Sequence, residues 1–255
     1  QRLGFTVGRR NRHPWGTENH IIQFDGAFLE LLGFAPDFEP PPANAPSEPF
    51  AGFCIRFLER AEAGAAMLVL RSDDAVADAD RLSRAGLGQG RMLTFSRGAQ
   101  GADGADRTVA FTLAFADLPG LPGIGAFLCQ QHRPENFWNP AAQRHANGAS
   151  GIAGLRIRGP EPSAHARALG IFADGGAELS ELRVTLGNGS HIAAERSSAG
   201  EDASITTVEI SVTDLDALKA ALSVGSLAGE ATGSAVKLSH PALGHTAIVF
   251  RQRSG

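Results

Sequence analysis

One plan occurs three times in this chain, at residues 66–86, 152–170 and 206–225: a strand, an acidic residue, a helix and a closing glycine. The acidic side chain is placed to accept hydrogen bonds from the free amides at a helix start. The glycine suits the left-handed turn that ends many helices. Residues 1–5 (QRLGF) resemble residues 167–172 (RALGIF), the end of a repeat helix. A fourth copy is therefore expected to be represented by its back half, so that the chain opens in mid-module, without an initiator Met. A repeated strand–helix–strand unit predicts a modular α+β architecture.

At 255 residues the chain holds one large domain or two small ones. The net charge of −4 gives no basic footprint, which argues against nucleic acid as a partner. No apolar run approaches the ~20 residues of a membrane helix. Cys54 and Cys129 form no disulfide framework, which points to a reducing cytoplasm. Tyrosine is absent, so proton-moving chemistry falls to His, Glu, Asp, Lys or Cys.

Residues 5–10 read as a short strand and 11–16 as a loop. Residues 18–24 and 27–32 flank Asp25-Gly26, a strong hairpin signal because a tight type I′ turn needs positive φ at both central positions. Residues 35–49 carry six of the fourteen prolines and read as a linker. A helix is predicted over 49–63, capped by Ser47, with Phe50, Phe53, Cys54, Phe57, Leu58 and Ala61 on one apolar face. Strands follow near 91–96, 108–116 and 124–131, with a Gly/Ala/Asp loop at 100–106. Residues 131–150 join the halves. The C-terminal half repeats the plan twice in shorter form, with strands near 181–186, 191–195, 235–239 and 246–251 and a capping-box-like helix start at 213–216. Residues 1–148 and 149–255 are the two expected domains.

A second internal match links residues 26–32 (GAFLELL) to 125–131 (GAFLCQQ), placing Glu30 and Cys129 at equivalent positions. With Asp25-Gly26 as a two-residue loop, opposed residue numbers sum to 51, so Ile21 faces Glu30 and Gln23 faces Phe28. Alternation then gives one face with Asn19, Ile21, Gln23, Phe28, Glu30 and Leu32, and another with His20, Ile22, Phe24, Ala27, Leu29 and Leu31. The second is expected to pack under helices. The first, mixing apolar walls with a carboxylate and two amides, has the make-up of a ligand cavity.

These residues resemble the vicinal oxygen chelate superfamily and, within it, the glyoxalase-like domain branch. The resemblance is carried by His13 to Asn19 (HPWGTEN) with Phe28 to Leu31 (FLEL). It is carried also by Cys129 to Glu135 (CQQHRPE) with Trp138, Pro140, His145, Asn147 and Gly148, over roughly residues 1–150. It implies paired βαβββ modules curled around a cavity, the first module lacking its first strand and most of its helix. It also implies a divalent metal (Zn, Ni, Mn or Fe), held by a residue on each module's first strand and a carboxylate on its last. Glu30 takes the last-strand position, as metal ligand or general base. Met67, Gly154 and Thr207 fall at first-strand positions, and Cys129 replaces the second carboxylate.

The expected ligand contacts are His13, Thr17, Asn19, Gln23, Phe28, Cys129, Gln131, His132 and Trp138. Each has a bland alternative: a loop histidine bonded to backbone, a packed thiol, and for His132 a side chain pointing away from Cys129. His165, His191, His240 and His245 lack metal-ligand spacing. Two functions are expected from this set. One is a metal-assisted lyase or isomerase acting on a small organic molecule. The other is a metal-free sequestering protein of the resistance type, with a homodimer as a further expectation.

Overall fold

The computed structural model describes residues 2–100, 104–173, 177–198 and 201–253. Its elements fall into four modules. The first contains β1 (Asn11–Arg12), β2 (Thr17–Phe24) and β3 (Ala27–Phe34), followed by helix α1 (Glu48–Leu58). The second runs β4 (Met67–Ser72), α2 (Ala75–Arg84), β5 (Met92–Gln100), β6 (Asp106–Ala116) and β7 (Gly125–Gln131), with the short α3 (Pro134–Phe137) behind it. The third is β8 (Ala149–Gly159), α4 (Pro162–Ala173), β9 (Glu178–Ser180), β10 (Arg183–Thr185) and β11 (His191–Arg196). The fourth is β12 (Ser204–Val212), α5 (Leu215–Val224), β13 (Glu230–Thr232), β14 (Ala235–Leu238) and β15 (Ala247–Gln252).

Modules two to four share one topology. The first strand pairs in parallel with the last: β4 with β7, β8 with β11, β12 with β15. The second and third strands then complete an antiparallel meander outward. Antiparallel pairing of β8 with β12 joins the last two modules into one eight-stranded sheet. The first two modules form separate sheets of three and four strands.

Local chemistry explains the repeated plan. Asp74 accepts from the amides of Val76 and Ala77, and Asp214 from those of Asp216 and Ala217, so each caps its helix. Asp214 is the cap of α5; Thr213 instead donates its hydroxyl to the Gly148 carbonyl. Gly86, at φ +71°, closes α2 while the Leu87 amide returns to the Leu82 carbonyl. Gly170 does not end its helix, because α4 runs on to Ala173.

Other differences are local. Residues 5–10 form no strand; they run beside β2 with the Gly8 amide on the Ile21 carbonyl, and the short strand falls instead at Asn11–Arg12. Helix α1 spans Glu48–Leu58, its Ser47 makes no side-chain capping bond, and Leu58 is exposed. β5 extends to Gln100, beyond the expected end at 96, and pairs with β6 to Gln100↔Asp106; the loop residues 101–103 lie outside the described residues.

The hairpin register is as expected, with all eight β2–β3 pairs summing to 51 and Gly26 at φ +69° in the turn. Its greasy face does not lie under helices alone. Ile22, Phe24, Ala27 and Leu29 pack with Leu218 and Leu222 of α5, but also with Val208, Ile210, Ile248 and Phe250 of the eight-stranded sheet. A second apolar cluster joins α2 and the four-stranded sheet to α4, Ile157, Ile192 and Ile205. Both clusters therefore bridge the expected boundary at 148/149. No helix among the described residues is long and apolar enough to cross a membrane.

Candidate functional site

Alternation along the strands aims one set of side chains into the space between the three- and four-stranded sheets. β2 and β3 contribute Asn19, Ile21, Phe28 and Glu30; β5 contributes Phe95 and Arg97; β6 and β7 contribute Phe111, Leu113, Phe127 and Cys129. Val69 of β4, Phe50 of α1, Phe137 of α3, and His13 and Trp15 from the loop before β2 complete the wall. They line a mostly apolar, partly open cavity of about 50 Å³. Glu30 lies on that wall with 24 % of its side chain exposed.

A polar string crosses this apolar setting. Arg97 Nη1 donates to Asn11 Oδ1 at 2.9 Å, Asn11 Nδ2 to Asn19 Oδ1 at 3.1 Å, and Asn19 Nδ2 to Glu30 Oε1 at 2.6 Å. Asn19 Nδ2 also lies 3.3 Å from His13 Nε2, and His13 Nδ1 lies 2.8 Å from Thr17 Oγ1. An amide nitrogen can only donate, so the network assigns the neutral His13 tautomer with its proton on Nδ1 and a lone pair on Nε2. That lone pair is 3.8 Å from Glu30 Oε1.

The electrostatics follow from burial. Glu30 is pushed above the ordinary carboxyl range because it loses hydration, against the opposing pull of the Asn19 bond and the Arg97 charge. His13 falls to about 3, by burial first and the Arg97 charge second, so its ring is neutral across the physiological range. Cys129 and Cys54 are both pushed up to about 12, by burial and then by Glu30. The thiolate is the reactive form, so neither cysteine is primed as a nucleophile. Both are therefore expected to ignore a thiol reagent such as DTNB at pH 8 until the protein unfolds, when two equivalents react. Rapid native-state labelling of Cys129 would contradict this environment.

Of the expected contacts, His13, Asn19, Phe28, Glu30 and Cys129 lie on the cavity wall. Thr17 is fully buried behind it and fixes the His13 ring. Gln23 shares the face but is committed elsewhere: Nε2 donates to the Phe137 carbonyl and Oε1 accepts from the Asn139 amide. His132 pairs with Thr112 Oγ1 at 2.8 Å, and Gln131 closes β7 half-exposed. Trp138 packs on Phe137 and Phe28 behind the wall. His145 bonds the Thr6 amide and the Gln23 carbonyl, and Asn147 donates to the Leu3 carbonyl, so both tie the connecting segment down.

Arg97 was not anticipated. It stands at the inward parity of Leu93 and Phe95, which is the available signal, but it lies one residue past the strand expected at 91–96.

Among the described residues, those on this wall do not make a metal centre. His13 and Glu30 offer two candidate ligand atoms, whereas a catalytic zinc takes three protein ligands. Among the described residues no group of three or more His, Cys, Asp or Glu side chains is arranged to hold an ion. Of the first-strand positions, Gly154 has no side chain and Met67 packs with the aromatic cluster. Glu30 as a metal ligand therefore lacks companions here, and no chemical step is routed through a metal.

The eight-stranded sheet treats its own inner carboxylate differently. Glu209, 2 % exposed, accepts from Arg156 Nε at 2.7 Å and Arg251 Nε at 2.8 Å, which together hold it below the ordinary range despite burial. That acid is spent on ion pairs; Glu30 is not.

Residues 1–171 match the model of a glyoxalase-like domain. Among solved structures, a hypothetical protein from Staphylococcus aureus aligns with a TM-score of 0.65 at 13 % identity, covering 98 % of this chain and 91 % of that one. A mutant of 4-hydroxymandelate synthase from Streptomyces coelicolor aligns at 0.58 with 14 % identity, over 94 % and 82 %. A xylose isomerase-like TIM barrel/4-hydroxyphenylpyruvate dioxygenase fusion protein aligns at 0.53 with 13 % identity, over 100 % of this chain and 45 % of that one. At such identities the likeness is one of fold. No curated protein matches the chain in sequence.

Proposed function

Since the chain belongs to the glyoxalase-like domain family, in the vicinal oxygen chelate superfamily, we propose that it takes a small oxygen-bearing organic molecule into the Glu30 cavity and moves a proton on it. The observation that carries this reading is a single unspent carboxyl on the wall of an aromatic-lined cavity, oriented by Asn19 and beside the lone pair of a neutral His13. A carboxyl whose pKa is raised by burial holds its proton to higher pH than a solvated one and is a stronger base once ionised. In its neutral form Glu30 donates a hydrogen bond to a substrate carbonyl. In its ionised form it removes a proton from the adjacent carbon and returns it to a neighbouring atom, which is isomerase chemistry; lyase chemistry would follow if a group on the next carbon left as the proton was removed. Asn19 holds the carboxyl in place, and the aromatic wall excludes competing water. Two buried free cysteines suit a reducing compartment such as the cytoplasm.

The test is solvent deuterium exchange at the carbon next to the carbonyl, followed by NMR over a panel of small 2-oxo compounds. The unmodified protein should catalyse exchange that persists after chelation, and Glu30→Gln should abolish it. Exchange that vanishes with chelator and returns with Zn, Ni, Mn or Fe would instead support the metal-assisted lyase or isomerase. Binding without exchange would make the protein a sequestering one. Absence of binding by any member of the panel would remove the reading.

A further inference from the structure

A cavity wall of this kind has a donor and acceptor balance, and here it is uneven. Two lining residues carry buried donors with no partner among the described residues: Trp15 Nε1 and Arg97 Nε. Buried donors are nearly always satisfied, so two in one wall call for an explanation. Trp15 is held in place by stacking on His13 at 4.6 Å and by edge contacts to Phe95 at 4.8 Å and Phe50 at 5.2 Å. Arg97 uses Nη1 on Asn11 Oδ1 and the Gly98 carbonyl, both neutral acceptors. The carboxyl on this wall is Glu30, whose Oε1 is taken by Asn19. Elsewhere arginines pair directly with a buried carboxylate, as Arg156 and Arg251 do with Glu209.

Resting on the functional reading above, we propose that the ligand of this cavity is a small apolar monocarboxylate, its carboxylate received by Arg97 and Trp15 and its oxygen-bearing carbon meeting Glu30. One guanidinium balances one negative charge, so a monoanion fits better than a phosphate ester. The Arg97–Asn11–Asn19–Glu30 string links the two polar groups of the wall, and Phe28, Phe111, Phe127 and Phe137 leave the rest of it apolar. A 2-oxo or 2-hydroxy acid carries this pattern: a carboxylate beside an oxygen-bearing carbon, on a short hydrocarbon body.

The chain has two tryptophans, so Trp138→Phe leaves Trp15 as the sole indole reporter. In that background, 2-oxobutanoate, its amide and inorganic phosphate are titrated against Trp15 fluorescence and melting temperature. The acid is expected to bind roughly tenfold tighter than the amide or better, the worth of a charge-assisted hydrogen bond. Arg97→Met should erase that preference, and Arg97→Lys should restore part of it. Equal binding of acid and amide, stronger binding of phosphate, or a preference unchanged in Arg97→Met overturns the assignment while leaving the cavity standing. Should neither acid nor amide bind, the functional reading itself fails. Should Arg97→Met not fold, the acid-to-amide ratio in the parent still decides.

Discussion

Glu30→Gln is expected to make the protein more stable at neutral pH and to remove the proposed proton transfer. Both effects come from one cause. The folded state raises the Glu30 carboxyl pKa by burial, so ionising it costs more in the folded chain than in the unfolded one. Below the ordinary carboxyl range, about pH 4, both states are protonated and the acid contributes no pH dependence. As pH rises through that value the unfolded state releases its proton first. Stability then declines until the raised folded pKa is passed, and levels off above it. Glutamine escapes the decline, and its carbonyl still accepts the Asn19 hydrogen bond. Urea midpoints of the two proteins should thus be close near pH 4 and diverge toward pH 8, with the glutamine variant ahead. Ligand binding moves the other way, weakening roughly tenfold or more if the acid donates to or exchanges a proton with the ligand. A variant less stable at pH 7, or a gap independent of pH, would mean that Glu30 is solvated or ion-paired. This is the trade of stability for function expected where a site holds a poorly solvated group.

Phe24→Ala should carry the largest loss of stability, about 3–5 kcal/mol, the range for emptying a buried phenylalanine site. Phe24 is wholly buried at the end of β2, with ring centroids 6.2 Å from Phe5 and 5.0 Å from His145, in the cluster that includes Ile210, Leu218 and Phe250. It fixes the first hairpin on the eight-stranded sheet, and the cavity lies on the opposite face of the same hairpin. The cost therefore reaches function through packing. Tryptophan fluorescence and far-UV circular dichroism should follow one shared unfolding transition in the parent, because two apolar clusters span residues on both sides of 148/149. A loss under about 1 kcal/mol, or early melting of the N-terminal signal alone, would show that the two halves stand independently.

The hairpin was legible in sequence because a two-residue Asp25-Gly26 turn fixes the register, and register fixes the parity of every side chain. That parity puts Asn19, Phe28 and Glu30 on one face, and this face lines the cavity. Parity gives the face and not the depth along the strand. Gln23 shares the face of Glu30 but sits at the strand end, where the connecting segment takes both ends of its amide. Arg97 was hidden for another reason. Residues 97–100 (RGAQ) have the composition of a turn, and pairing with residues 106–109 of β6 keeps them in a strand, so tertiary context overrides propensity. Ser47 has the right identity and place for a cap, but the backbone there is already helical, at φ −83° and ψ −9°, and its hydroxyl makes no capping bond. The common order of strands in the modules is carried by non-local pairing. It is legible in the sequence through family resemblance, which extends to residue 171, past the expected limit near 150.

The most direct measurement is a crystal structure of the chain grown with 2-oxobutanoate. The expected result is ligand density between the three- and four-stranded sheets, with an oxygen within hydrogen-bonding distance of Glu30 and the carboxylate toward Arg97. Ligand bound elsewhere, or a Glu30 side chain turned out to bulk water with the cavity closed by its aromatic walls, would contradict the account.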